Sequence, residues 1–216
     1  MVRDVDLNAI FLLVEGAKWT VILSFIAFLG GGIGGLFVAL ARTSTWKGLR
    51  FAVGIFIDFF QGTPMLMQLF LVFYGLPILG FKVSVWTAAS VGLTLHASAF
   101  LGEIWRGGIQ AVPRGQTEAA LALGLGYIDR MRYVVLPQAF RYSLAATTGF
   151  LVQLIKGTSL AAIIGFVELS RSAQIVSSTT YKPLLVYGIA GAFYFAICFP
   201  LSTLSARLEK RYTARS

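Results

Sequence analysis

Four stretches without a single charged side chain dominate this sequence: Trp19–Ala41 (23 residues), Phe59–Phe81 (23), Val83–Gly102 (20) and Pro183–Ala206 (24). About 20 apolar residues, at 1.5 Å rise each, cross a hydrocarbon core about 30 Å thick. Each run is therefore long enough to span a bilayer as a helix. A fifth run, Tyr142–Val167, is interrupted only by Lys156. Of the 216 residues 57% are apolar and 12% charged, about half the charge of an ordinary soluble domain. That leaves too little polar surface for a water-facing globule, and it excludes disorder for the same reason. The reading is an all-α integral membrane protein with five transmembrane helices, spanning about 19–41, 52–79, 83–105, 138–167 and 183–206.

Charge placement gives the orientation. With five spans, one side carries Arg3, Lys18, Lys82, Arg171 and Lys182. The other carries Arg42, Lys47, Arg50, Arg106, Arg114, Arg130, Arg132, Arg141, Arg207, Lys210, Arg211 and Arg215. The basic side is expected in the cytoplasm, which puts the amino terminus outside and the carboxyl terminus inside. Basic loops facing anionic lipid account for the net charge of +9, so no nucleic-acid partner is expected. Residues 1–18 hold Asp4, Asp6 and Glu15 among their charges and lack the basic start of a signal peptide. Leu7, Ile10, Phe11 and Val14 stand at helical spacing and predict a short amphipathic, interfacial segment.

The stretch between the third and fourth spans, about 107–137, is too long and too ordered in composition to be a simple turn. Thr117 is a candidate N-cap, Glu118 suits the positive end of a helix, and Ala119–Leu123 favour helix. Gly124 and Gly126 are expected to end it. A two-turn helix is marginal alone, so this one needs a docking partner. A bed of lipid would also serve.

Glu118-Ala119-Ala120, three residues, Gly124, nine residues, then Val134-Val135-Leu136-Pro137 resembles the EAA loop of ATP-binding cassette (ABC) importer permeases, with Val134 in place of Ile. Gly62-Thr63-Pro64-Met65-Leu66-Met67-Gln68-Leu69-Phe70 with Tyr74-Gly75-Leu76-Pro77 is similar to the second-span signature of the polar amino-acid uptake subfamily. Glu103-Ile104-Trp105-Arg106-Gly107-Gly108-Ile109 with Gly115-Gln116, and Lys156-Gly157-Thr158-Ser159-Leu160, are similar to its third- and fourth-span segments. Gln61 stands where that subfamily commonly has Arg, His96 where an aromatic or small residue is more usual, and Gly157 where Asp is frequent.

The resemblance implies a type I ABC importer permease. Residues 19–208 would form one transmembrane domain and 209–216 a cytoplasmic tail, in a bacterial inner membrane. It implies two ATPase partner subunits, a second permease chain, identical or similar, and a periplasmic solute-binding protein. Glu118, Ala119, Ala120, Gly124, Leu136 and Pro137 would carry the coupling to the ATPases. No catalytic or metal-binding residue and no cofactor is expected in this chain. ATP and Mg belong to the partners, because Gly30–Gly35 lacks the lysine of a P-loop and Lys156-Gly157-Thr158 reverses its order.

Polar groups inside spans are costly and so are candidates for function. Lys156 could meet a substrate carboxylate, pair with an acid or snorkel outward. His96 could line a cavity or pack. Glu103 could meet a substrate ammonium group, act as a gate, or pair with Arg106 one helical turn away. Thr63-Pro64 breaks the second span, and Gln61, Thr63 and Gln68 could serve a cavity beside it. Asp58 lies near the cytoplasmic end of that span and is expected to be partly solvated. The pairs Gly30/Gly34 and Gly31/Gly35 allow close helix contact, either at a sliding subunit interface or in plain packing. The residues 207–215 read as a lipid-facing tail. An ion-coupled secondary transporter is the alternative function, but it would usually show paired halves, and no internal repeat is present. A membrane enzyme would need a nucleophile–base pair or a carboxylate pair, which the sequence does not offer.

Overall fold

A computed structural model describes residues 5–213, so Arg3, Asp4 and Arg215 of the charge pattern lie outside the described residues. Eight helical elements follow one another, with no strand among the described residues: α1 (Leu7–Arg42), α2 (Lys47–Gly62), α3 (Met65–Ile78), α4 (Val85–Gln110), α5 (Arg114–Ala122), α6 (Tyr127–Ile164), α7 (Leu169–Thr180) and α8 (Pro183–Thr213). Four of them, α1, α4, α6 and α8, are long and apolar enough to cross a membrane. The bent pair α2–α3 makes a fifth span if counted as one.

The amino-terminal segment is not separate. Asp6 caps α1 by accepting the Ala9 amide at 2.9 Å, and the helix then runs unbroken for 36 residues, about 54 Å. Leu7, Phe11 and Val14 are exposed as an apolar face. The opposite face holds it down: Leu13 and Ala17 pack with Leu169, Ala173 and Val176 of α7 and with Val186 and Ala190 of α8. The segment is thus continuous with the first span and packed on α7 and α8.

The glycines of α1 form its seam with α4. A Cβ at Gly31 would collide with Ala97, one at Gly34 with the Ser98 hydroxyl, and one at Gly35 with Leu101; across the seam, Gly102 faces Val38 as tightly. These spacings serve packing inside one chain, the plainer of the two expectations. Around the seam, Leu23, Ala27, Leu69, Leu93, Leu101, Phe150 and Leu154 make the main core.

The second span is not one helix. α2 and α3 meet at 111° across Thr63-Pro64. The fourth span begins earlier than expected, at Tyr127, and shortens to a 3-10 turn over Thr158–Ile164 that ends at Gly165 with φ +93°. Two π-helical turns, Leu71–Gly75 and Met131–Val135, each immediately precede a Leu-Pro pair, Leu76-Pro77 and Leu136-Pro137. Proline offers no amide to the preceding turn, and the wider π turn lets the helix continue past that loss. α8 passes the expected end of the fifth span and continues as helix through the predicted tail to Thr213. The Ser205 hydroxyl donates to the Ala145 carbonyl at 2.8 Å and ties α8 to α6.

Candidate functional site

The EAA stretch folds as α5, but it starts one turn before the expected cap. Pro113, with φ −56° and ψ 136°, occupies the N-cap position, so Thr117 lies inside the helix and Glu118 beyond its first turn. Proline ends α4 and tolerates the start of α5, where the first amides have no partner in any case. At the other end, Leu125 donates to the Ala120 carbonyl at 3.1 Å and Gly124 to that of Leu121 at 2.9 Å. Gly124 adopts φ +75°, the left-handed closure expected of it. Gly126 instead caps the next element: its carbonyl accepts the Arg130 amide at 2.9 Å.

α5 is held by very little. Ala120 is its one buried residue. Beside it, Val112, Val135 and Ala139 form a small apolar cluster with Ile109 and Met131. Gln138 donates to the Val134 carbonyl at 2.8 Å and to Gln116 at 3.3 Å. Leu136 donates its amide to the Met131 carbonyl, so Leu136-Pro137 sits where the π turn gives way to the long helix. Glu118, Ala119, Leu121 and Leu123 are exposed, Leu123 at 80%. An open cleft of about 670 Å³ is lined by Ile109, Gln110, Val112, Arg114, Thr117 and Glu118. The arrangement is a lightly held projection with uncovered apolar side chains next to a cleft.

At the break in the second span, three of the candidate residues form one network. The Gln68 side-chain amide donates toward the Phe60 carbonyl at 2.8 Å, the Thr63 carbonyl at 3.0 Å and the Thr63 hydroxyl at 2.9 Å. Its Oε1 lies 2.9 Å from His96 Nδ1. Thr63 donates to the Phe59 carbonyl at 2.7 Å. His96 stacks against Phe100 and Phe150. Gln68 and His96 are buried, at 2% and 5% exposure. Both face the interior of this chain. Gln61, by contrast, is exposed.

The charged candidates do not converge. Lys156 is exposed near the end of the regular helical part of α6. The next residue, Gly157, meets the Met65 side chain, where a Cβ would come within 2.6 Å of Cε; that places Lys156 beside the broken span. Glu103 sits elsewhere, paired with Arg106, whose Nε donates to Glu103 Oε2 at 2.8 Å and whose Nη1 meets Gln110 Oε1. Asp58 is exposed. One buried acid escaped the sequence reading. Glu168, fully buried, caps α7 through the Ser170 and Arg171 amides at 2.9 Å and accepts from Tyr194 at 2.8 Å and Thr20 at 3.4 Å. An acid at the margin of an apolar run and directly before a short helix was the available signal.

The sequence profile described as "binding-protein-dependent transport system inner membrane component" matches residues 31–214, which include both the break and the EAA stretch. The chain is 37% identical over 199 residues to the probable amino-acid ABC transporter permease protein YckA of Bacillus subtilis, covering 92% of this chain and 88% of that protein. It is 35% identical over 206 residues to the glutamine transport system permease protein GlnP of Escherichia coli, 94% of each. Among solved structures, a chain from the crystal structure of an amino acid ABC transporter with histidines overlays with TM-score 0.87 and 36% identity, over 97% of this chain and 100% of that one. The fold is that of a type I ABC importer permease. The chain belongs to the binding-protein-dependent transport system inner membrane components, and is a transport subunit rather than an enzyme.

Proposed function

We propose that this permease carries a polar amino acid inward, as one wall of a pathway completed by a second permease chain. Two ATPase subunits sit beneath and hold the ATP and Mg, and a solute-binding protein delivers cargo outside. The observation that carries the reading is α5, a short helix outside the spans whose Leu121 and Leu123 are left exposed by the described residues. Such a helix needs something to dock against. An ATPase cleft there would turn closure around ATP into a push on α6 through Ala120 and the Leu136-Pro137 junction. In this arrangement Glu118, Ala119, Ala120, Gly124, Leu136 and Pro137 carry the coupling.

The amino terminus lies outside and the carboxyl terminus inside, because Arg114, Arg130, Arg132, Arg141, Arg207, Lys210 and Arg211 mark the cytoplasmic side. Names of relatives support the cargo class: one relative serves glutamine and another, 33% identical, arginine. Lys156, beside the broken span, and exposed Gln61 are the pathway candidates. Glu103, bound to Arg106, serves as a cytoplasmic gate.

The test is ATP-dependent uptake by the complete complex in proteoliposomes, using radiolabelled glutamine, arginine, histidine, glutamate and cystine. Accumulation of one of these that stops without ATP supports the reading. Accumulation driven by an ion gradient with no ATPase present overturns it.

A further inference from the structure

Proline at position 64 has no amide hydrogen, so the Phe60 carbonyl one turn earlier loses its helical donor. The Met67 amide, which a continuous helix would send to the Thr63 carbonyl, goes to that of Pro64 at 2.9 Å. Two carbonyls are thus released at the same corner, in a segment where bare backbone groups are costly. The Gln68 side chain answers both, donating to Phe60 and Thr63 from eight and five residues away. Since both acceptors are carbonyls, the Gln68 nitrogen must face them and its oxygen must face α4. The partner on α4 is His96 Nδ1 at 2.9 Å, which must therefore carry the ring proton. His96 Nε2 is buried without a partner, and the ring is fixed by its stacking on Phe100 at 4.4 Å.

We infer that Gln68 and His96 are positioning residues of the transport cycle. Together they latch the broken second span to α4 and set the angle at which Gln61 and Thr63 face the pathway. The inference rests on the transport reading above. Its content is that His96 acts through Gln68 on the pathway and does not touch cargo. A change at His96 should then slow turnover and leave the concentration for half-maximal uptake where it is.

The experiment compares His96→Phe, His96→Asn and His96→Gln in the complete complex, with uptake of the labelled amino acid that the wild type accumulates best. Phe keeps the stacking ring and loses the donor; Asn places an amide where Nδ1 stood. His96→Phe should lower the maximal rate by roughly tenfold, the effect of one buried hydrogen bond, with half-saturation unchanged, and His96→Asn should restore most of the rate. If His96→Phe does not assemble, as judged by size-exclusion chromatography, His96→Asn is compared with His96→Gln, whose amide reaches the Nε2 position instead. Asn near wild type and Gln impaired support the latch. The inference is overturned by a His96→Phe rate equal to wild type, by His96→Asn being as impaired as His96→Phe or His96→Gln, or by a shift in half-saturation alone. Absence of ATP-driven uptake by the wild-type complex would instead refute the transport reading.

Discussion

Glycine does opposite work in two regions of this molecule. At Gly31, in the seam between α1 and α4, the neighbour Ala97 fills the place a side chain would need. At Gly124, after α5, nothing stands within 4 Å of a Cβ, yet the backbone holds φ +75°. The first glycine is required by what surrounds it and the second by its own torsion. Crowding of that kind builds a closed, static contact. Openness with a fixed turn builds a surface waiting for another protein.

Substitutions can break or sharpen this contrast. The largest effect is expected for Gly31→Leu, which cannot be seated against Ala97 without parting α1 from α4. Overpacking typically costs about 1–3 kcal/mol and occasionally more, and the yield of assembled complex on size exclusion should fall to near zero. Next comes Gln68→Leu, which leaves the Phe60 and Thr63 carbonyls without their side-chain donor at about 1–3 kcal/mol each; the thermal unfolding midpoint of the complex should drop clearly. Glu168→Gln keeps the size of the α7 cap but puts an amide donor where one oxygen accepts from the α7 amides or Tyr194, and it should cost about 1–2 kcal/mol by the same measurement. Gly124→Ala and Gly124→Trp form a matched pair. Both meet the left-handed strain of about 1–2 kcal/mol, so equal loss of binding-protein-stimulated ATPase activity would mean torsion alone matters. A much deeper loss for Trp would mean that a partner surface lies against this turn. The smallest structural effect belongs to Leu123→Ser, expected within about 0.5 kcal/mol of wild-type stability, with reduced stimulated ATPase activity as its only trace.

The same contrast explains what could be read from the chain before its shape was known. Uncharged runs located the spans, because the bilayer fixes a length that composition can meet. The EAA stretch and Thr63-Pro64 were legible as local patterns. The 111° bend was not, since Pro64 marks a break but the angle depends on Gln68 meeting His96, 28 residues away. Thr117 was misplaced as a cap because its preference for that position yields to Pro113, which already ends α4 and starts α5. That the amino-terminal segment is one helix with the first span was not legible either: Leu13 and Ala17 find partners on α7 that no window of 18 residues contains.

The length of α1 bears on how the protein is made. Thr20, in its amino-terminal half, receives the Leu169 amide across 149 residues and touches Glu168 across 148. At a synthesis rate of about 5–20 residues per second, Thr20 remains without these partners for about 7–30 seconds after it leaves the ribosome. The glycine seam can close sooner, once Ala97 arrives. The first helix produced is therefore fastened in two stages, its middle early and the turns around Leu13 and Ala17 only when the last third of the chain has been made.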